Sequence, residues 1–241
     1  MSIRAHGFFV MAVTFAFAWH AQGALVLVEK GQAHAVIVLS ANPSEQAREA
    51  AEILQAYTER IGGVRLEIQD ETVPTNGTRI LVGQSEAVRQ LGVEGLSRFT
   101  NEMNEERFIV KTIGTDLVLA GNEHPFYRGT VYAVYEFLER LGCRWFFPGA
   151  YGEVVPKRDT ITVDNMNVDE RPDFRFRNIW YSGWMPVTEQ DARDYTVWMD
   201  RNKMNSLKGL SLPGDGSINR LAPPEKYFDS HPNIYAINKK G

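Results

Sequence analysis

Residues that build disulfide frameworks, zinc sites and nucleic-acid interfaces are scarce in this sequence. Cys143 is the one cysteine among 241 residues, so no disulfide can form within the chain. His34, His124 and His231 are the histidines that follow the N-terminal segment, and they lack the spacing of zinc ligands. The 26 lysines and arginines are outnumbered by 30 aspartates and glutamates, whereas nucleic-acid binders carry a basic excess. We therefore expect no metal ion and no nucleic-acid partner.

Long hydrophobic runs are also rare, and the clearest one lies at the N-terminus. The run Gly7–Trp19 follows Arg4 and precedes Ala21-Gln22-Gly23, which is the layout of a cleaved secretory signal. It is too short to span a bilayer, which takes about 20 apolar residues. We predict that residues 1–23 are a signal peptide cleaved before Ala24, and that the protein is secreted or periplasmic with no membrane association after cleavage. A buried first helix is the alternative.

The motifs of common catalytic and cofactor sites are missing as well. The sequence has no P-loop, no GxSxG and no HExxH motif. Gly214-Asp215-Gly216 lacks the third glycine and the strand–helix context of a dinucleotide site. We therefore expect no cofactor. Cys143 stands among apolar residues, which is typical of an inert core cysteine; a catalytic thiol would need an activating neighbour.

Apolar residues at helical spacing predict two long helices. The first begins at Asn42-Pro43-Ser44-Glu45, which fits an N-cap, a proline at the first helical position and a capping-box acid, and it ends at Gly62-Gly63. The second runs from about Tyr127 to Leu141. Predicted strands, with turns at Lys30-Gly31 and Gly114-Thr115-Asp116, are Leu25–Val28, Ala33–Leu39, Val64–Gln69, Arg79–Gly83, Arg107–Ile113 and Leu117–Gly121. The expected fold class is an α+β domain over residues 24–163, with helices on a mixed or antiparallel sheet.

A polar segment, residues 164–173, ends this pattern and predicts a linker. Beyond it the order becomes β-α-β, with a strand at Phe174–Tyr181, a helix at Glu189–Met204 and a strand at Ser206–Leu212. We interpret residues 174–241 as the first units of an incomplete (β/α) barrel. A complete barrel takes about 250 residues, so this region would hold about two units and the chain would be a fragment of a longer protein.

Four segments resemble a known family. They are Arg128–Glu139, Gly142–Phe146, Gly152–Pro156 and Arg171–Arg177. They look like the N-terminal domain of bacterial alpha-glucuronidases and of secreted bacterial proteins of the same build; β-hexosaminidases carry a similar small α+β domain ahead of their barrel. Pro223–Phe228 and His231–Tyr235 resemble a segment early in the barrel of those secreted proteins.

The resemblance implies a glycoside hydrolase, or a relative of one, that acts outside the cytoplasm on plant or microbial polysaccharide. Such enzymes use a pair of carboxylates, or one carboxylate with the substrate's acetamido group. The resemblance places those carboxylates on later barrel strands, so we expect this chain to be inactive alone. A glycan-binding module without catalysis and a purely structural scaffold are the two alternatives.

Four residues are candidate sugar contacts. Tyr181, Ser182 and Trp184 would follow the first barrel strand, at the face where barrel enzymes bind ligands, and Asp215 would lie in the loop after the second strand. The competing interpretations are that Trp184 packs under a loop and that Asp215 belongs to a Gly-Asp-Gly turn.

Several other side chains invite a binding role but have simpler explanations. Arg177 could reach a sugar carboxylate, although an ion pair with Asp173 or Glu170 is the simpler expectation. Arg128 could favour an anion at a helix start, but pairing with acids at an interface is more common. The sequence Trp145-Phe146-Phe147 resembles a sugar platform, and we expect instead that it belongs to the core.

Overall fold

A computed structural model describes residues 23–96, 105–125, 127–177 and 188–205, together with the backbone of residues 211–212 and 215–216. The helices are α1 (Glu45–Gly62), α2 (Glu86–Gln90), α3 (Gly129–Arg140) and α4 (Glu189–Arg201), with a 3₁₀ turn at Ala150–Gly152. The strands are β1 (Leu25–Glu29), β2 (Gln32–Ala33), β3 (Ala35–Leu39), β4 (Ile68–Asp70), β5 (Thr78–Val82), β6 (Phe108–Ile113), β7 (Asp116–Gly121), β8 (Arg144–Trp145), β9 (Glu153–Val154), β10 (Ile161–Val163), β11 (Asn167–Glu170), β12 (Ser211–Leu212) and β13 (Asp215–Gly216).

A mixed sheet of six strands carries the fold, in the order β11-β6-β7-β5-β3-β4. The strands β4, β3, β5 and β7 run parallel, whereas β6 pairs antiparallel with β7 and β11. A smaller sheet joins β10, β1 and β2. Helices α1 and α3 cover one face of the main sheet, and α2 packs against the other. This arrangement confirms the predicted α+β class with helices on a mixed sheet.

The ends of α1 follow from local chemistry. Ser44 is the N-cap, and its hydroxyl accepts a hydrogen bond of 3.0 Å from the N–H of Ala47. The prediction placed the cap at Asn42, two residues too early. At the other end Gly63 adopts φ +74°, and its N–H bonds to the carbonyl of Glu59. This left-handed position favours glycine and ends the helix as predicted.

Helix α3 is buried on nearly every side. The predicted apolar stripe of Val131 and Val134 is buried, but so are Tyr132 and Phe137, which lie outside that stripe. The sheet covers one side of α3, while α1 and α4 cover others. A helix that is apolar on all sides must pack against other elements on all sides. Helix α4 covers the side of α3 that the sheet and α1 leave open.

Strand β3 has partners that the sequence did not predict. The turn at Lys30-Gly31 joins β1 to the short β2 as a hairpin, as expected. The chain then leaves this hairpin, and β3 enters the main sheet between β4 and β5, parallel to both. Ile37 and Val38, which point to opposite faces, are both buried. Burial on both faces is characteristic of a central parallel strand.

Part of the predicted linker is a strand. Within residues 164–173, β11 pairs antiparallel with β6, Val168 is buried, and Asp169 forms a bidentate ion pair with Arg107 at 2.7 Å. The sequence does not predict this strand, because its residues are mostly polar. The division into domains remains a prediction.

The region that the sequence predicts to begin a barrel, residues 174–241, is described in part. Helix α4 confirms the predicted helix, although it ends at Arg201 rather than at Met204. Residues 174–177 form no strand, and the remainder of the predicted strand lies outside the described residues. The backbone of β12 pairs antiparallel with that of β13. None of the helices that the structure describes is long and apolar enough to cross a membrane.

Candidate functional site

The predicted sugar contacts fall where the structure gives no side-chain information. Tyr181, Ser182 and Trp184 lie outside the described residues. Asp215 belongs to β13, where its backbone pairs with Leu212, and its side chain is not described. These four residues remain predictions.

The described residues instead show how α4 is fixed to the α+β domain, and Arg128 is the first of three anchors. Arg128 immediately precedes α3 and binds two carboxylates with its guanidinium. It donates to Glu49 of α1 at 2.6 and 2.7 Å and to Asp200 of α4 at 3.1 and 2.6 Å. Burial alone would lower the pKa of Arg128, but the two carboxylates outweigh burial and raise it. Arg128 therefore pairs with acids, as expected, and joins three helices.

Glu153 is the centre of the second anchor. Its carboxylate accepts hydrogen bonds from Arg60 at 2.6 Å, from the Trp145 indole at 3.1 Å and from the Tyr57 hydroxyl, and Arg201 of α4 lies 3.3 Å away. Burial raises the pKa of Glu153, but the bonds from Arg60 and Tyr57 and the charge of Arg201 lower it to about 2. Burial and the bond to Glu153 raise the pKa of Tyr57 to about 12.

Arg177 forms the third anchor. Its guanidinium pairs with the buried carboxylate of Glu106, and its Nε donates to the carbonyl of Lys203 at 2.6 Å. The backbone N–H of Arg177 donates to Asn205 Oδ1 at 2.9 Å. Burial raises the pKa of Glu106 in spite of the ion pair. The expected pairing of Arg177 with Asp173 or Glu170 is wrong, because the fold brings Glu106 to it from 71 residues away.

An exposed group of aromatic side chains lies between β8 and β9. Trp145 is in the core, as predicted, at 4% exposure, but Phe146 and Phe147 are 60% and 58% exposed and Tyr151 is 97% exposed. The expectation that all three residues of Trp145-Phe146-Phe147 are core is therefore wrong for the two phenylalanines. Strand alternation explains Phe146, since side chains at successive strand positions point to opposite faces.

The carboxyl edge of the parallel strands, where α/β proteins bind ligands, holds two carboxylates of the chain itself. Glu123 accepts from the Ser44 hydroxyl at 2.8 Å and from the Thr130 hydroxyl at 2.9 Å. Glu71 accepts from the N–H of Ala87 at 2.9 Å, beside a cavity of about 570 Å³. Burial raises the pKa of Glu71, but its hydrogen bonds from backbone N–H groups outweigh burial and lower it. Intramolecular carboxylates thus hold the helix starts in place.

In the part of the chain that the structure describes, no three His, Cys, Asp or Glu side chains gather in a way that could hold a metal ion. The charged side chains around Arg128, Glu153 and Arg177 form ion pairs and hydrogen bonds between secondary-structure elements.

Comparison with known proteins places the fold. Residues 147–241 match a family described as a domain of unknown function, DUF4838. No curated protein matches the chain. A solved family GH115 4-O-methyl-alpha-glucuronidase with specificity for decorated arabinogalactans is similar in structure, with 16% identity, a TM-score of 0.52 and coverage of 75% of this chain and 25% of that chain. The chain thus spans about a quarter of that enzyme's length.

Two further solved structures have lower TM-scores. One is a GH138 enzyme targeting pectin rhamnogalacturonan II, with 14% identity, a TM-score of 0.42 and coverage of 78% of this chain and 28% of that one. The other is the chitobiase of Flavobacterium johnsoniae, with 9% identity, a TM-score of 0.36 and coverage of 68% and 21%. The likeness to the GH115 enzyme shows that the α+β architecture of this chain also occurs in a glycoside hydrolase.

Proposed function

We propose that this chain is the N-terminal portion of an exported glycoside hydrolase-like protein that acts on polysaccharide or oligosaccharide. The observation that carries the proposal is the likeness of three quarters of the chain to one quarter of a GH115 alpha-glucuronidase. A carbohydrate is accordingly the proposed partner. For the full-length protein we propose an alpha-glucuronidase or a hexosaminidase-like enzyme.

In this proposal the α+β domain, residues 24–163, is a scaffold for the catalytic barrel. Helix α4 is the first barrel helix, and its anchors through Asp200 and Arg201 hold that helix on α1 and α3. The catalytic carboxylates belong to later barrel strands, since the chain covers 25% of the GH115 enzyme and such enzymes need a spaced carboxylate pair across the barrel mouth.

The experiment that tests this function compares two proteins, the 241-residue chain and the product of the complete reading frame. Both are incubated with arabinogalactan, glucuronoxylan and nitrophenyl glycosides, and released sugar is measured. We expect release by the complete product and none by the shorter chain. Release by the shorter chain would place the catalytic carboxylates within it, and no release by either protein would overturn the proposed hydrolase.

Export is a separate part of the proposal. It is supported by the charged and apolar segments before Ala24 and by the start of β1 at Leu25, directly after the predicted cleavage point. N-terminal sequencing of the secreted protein should begin at Ala24. A protein that retains Met1 in the cell would refute the signal peptide while leaving the proposed activity intact.

A scaffold that binds or positions a partner without cleavage is the second candidate function. The three anchors favour a scaffold role, because the charged groups of Arg128, Glu153 and Arg177 all form ion pairs within the chain. Detection of glycan retention without sugar release by the complete product would favour this candidate over the hydrolase.

A further inference from the structure

Residues 146–151, here named the aromatic loop, expose more aromatic surface than a solvated turn requires. Phe146, Phe147 and Tyr151 all lie mostly outside the core within a six-residue stretch. Single exposed hydrophobic residues are common, but grouped ones rimmed by polar atoms mark binding surfaces. The nearby Val154 of β9 is also exposed and extends this surface.

The backbone of the aromatic loop is held in one conformation. The N–H of Phe146 donates to the carbonyl of Gly152 at 2.8 Å. A Cβ on Gly152 would lie 2.2 Å from the carbonyl oxygen of Phe147, so the chain passes too close for any other residue. Gly149 adopts φ +80°, which glycine tolerates without strain. The aromatic side chains therefore project from a preorganised frame, which lowers the entropy lost on binding.

The aromatic loop lies beside the first two turns of α4. A Cβ built on Gly149 would be 3.3 Å from Oδ2 of Asp194, whose Oδ1 accepts a hydrogen bond of 2.8 Å from Gln190. In a (β/α) barrel each helix begins at the face where the preceding strand ends, and substrates bind at that face. If α4 is the first barrel helix, as in the proposed function, the aromatic loop borders the mouth of the barrel.

We propose that the aromatic loop binds pyranose rings of a polysaccharide at the barrel mouth. The C–H groups on one face of a pyranose are apolar and pack on an aromatic ring, while its hydroxyls point to the sides. Phe147 and Tyr151 supply the aromatic surface, and Asp194 and Gln190 supply polar atoms at its edge that can bond to hydroxyls. A glycan uses both kinds of group: the carboxylate of Asp194 accepts one hydrogen bond from Gln190 and has acceptor capacity left for a sugar hydroxyl, which an apolar protein segment would not use.

Affinity electrophoresis of the complete secreted protein tests this site. Gels contain soluble arabinogalactan or glucuronoxylan as the probe, and the variants are Tyr151→Ala and the double variant Phe147→Ala/Tyr151→Ala. We expect retardation of the unmodified protein by at least one polysaccharide and a loss of affinity of about tenfold or more in the double variant, since it removes both stacking rings. The control is Val73→Ala, an exposed apolar residue elsewhere, which should bind as the unmodified protein does.

The outcomes separate the site from the proposed function. Unchanged retardation of the double variant, or no retardation of any protein, would overturn the site even if sugar release by the complete protein stands. Retardation that depends on Tyr151, without sugar release, would support the site and overturn the hydrolase. A fall in molar mass of the double variant by light scattering, with retardation unchanged, would assign the aromatic loop to self-association instead. Tyr151 is almost fully exposed, so its single variant reports on binding without loss of core packing.

Discussion

The indole Nε1 of Trp198 donates a hydrogen bond of 2.8 Å to the carbonyl oxygen of Trp145. The indole of Trp145 in turn donates to the hydroxyl of Tyr57 at 2.9 Å. Side chains of α1 and α4 thereby meet at the residue that directly precedes the aromatic loop. Through Trp145, the position of α4 is linked both to α1 and to the aromatic loop that we propose binds glycan.

Replacement of Glu153 by Gln should destabilise the protein in a pH-dependent way. The pKa of Glu153 falls from its usual 4.5 to about 2 in the folded state, which corresponds to about 3 kcal/mol of stability. Because the folded pKa is the lower one, this stability is present above about pH 4.5 and is lost as the pH falls towards about 2. Urea unfolding at about pH 7 and at about pH 3 should show a larger difference between the two proteins at the higher pH.

The control for Glu153 is Glu59→Gln, which removes an exposed ion pair with Arg65. Exposed pairs contribute about 0–1 kcal/mol, so this variant should unfold close to the unmodified protein. An equal effect of both variants at about pH 7 would contradict the role of burial at Glu153.

Arg128 and Asp200 should be energetically coupled. A double-mutant cycle with Arg128→Met and Asp200→Asn should give a coupling free energy of about 1–3 kcal/mol. Arg128→Met leaves the carboxylate of Asp200 without this cation, and Asp200→Asn leaves Arg128 with Glu49 as its one carboxylate of the two. Hydrogen exchange of the α4 amides should also accelerate in Arg128→Met. Coupling near zero would mean that the Arg128–Asp200 pair does not stabilise the attachment of α4. Arg128→Lys should lose part of the stability, since an ammonium cannot form both bidentate contacts.

Gly121→Ala should be far more damaging than Gly114→Ala. A Cβ on Gly121 would lie 2.2 Å from the carbonyl carbon of Gly129, so β7 and the start of α3 would have to separate. We expect a loss of about 3 kcal/mol or more, or failure to fold. Gly114 has open space but φ +60°, so alanine there should cost about 1 kcal/mol. Urea midpoints of the two variants measure the difference, and equal midpoints would refute the close contact.

Cys143 should react with thiol reagents only after unfolding. The residue is buried, and burial raises the pKa of its thiol to about 11. At about pH 8 little thiolate is present, and the reagent has no access to it. Labelling with a chromogenic disulfide should be slow in buffer and complete in denaturant. Rapid labelling of the native protein would show that the core around Cys143 opens readily.

The elements that local chemistry specifies were predictable from the sequence. The C-terminal end of α1 at Gly63 and the β6–β7 hairpin at its turn each depend on residues within a few positions of one another. The start of α1 was misplaced because Asn42 and Ser44 are both good caps, and only the Ser44 hydroxyl meets an N–H in the structure.

Features that depend on distant partners were not predictable. Strand β11 is mostly polar, and it forms because β6 offers an unpaired edge and Arg107 pairs with Asp169. The partner of Arg177 is likewise distant in sequence. The exposure of Phe146 and Phe147 depends on what packs around their loop, and an aromatic run by itself does not reveal that. The candidate contacts Tyr181, Ser182, Trp184 and Asp215 stay predictions.

The sequence alone determined the class of this protein: an α+β domain with apolar helices and strands, punctuated by glycine turns and capping residues that act locally. The tertiary structure decided which strands pair, which carboxylate each arginine binds, and that α3 is covered by α4. The physical reason is the distance along the chain over which each kind of interaction acts. Capping and turn geometry act over a few residues of chain, whereas sheet pairing, ion pairs and burial depend on surfaces that folding alone brings together.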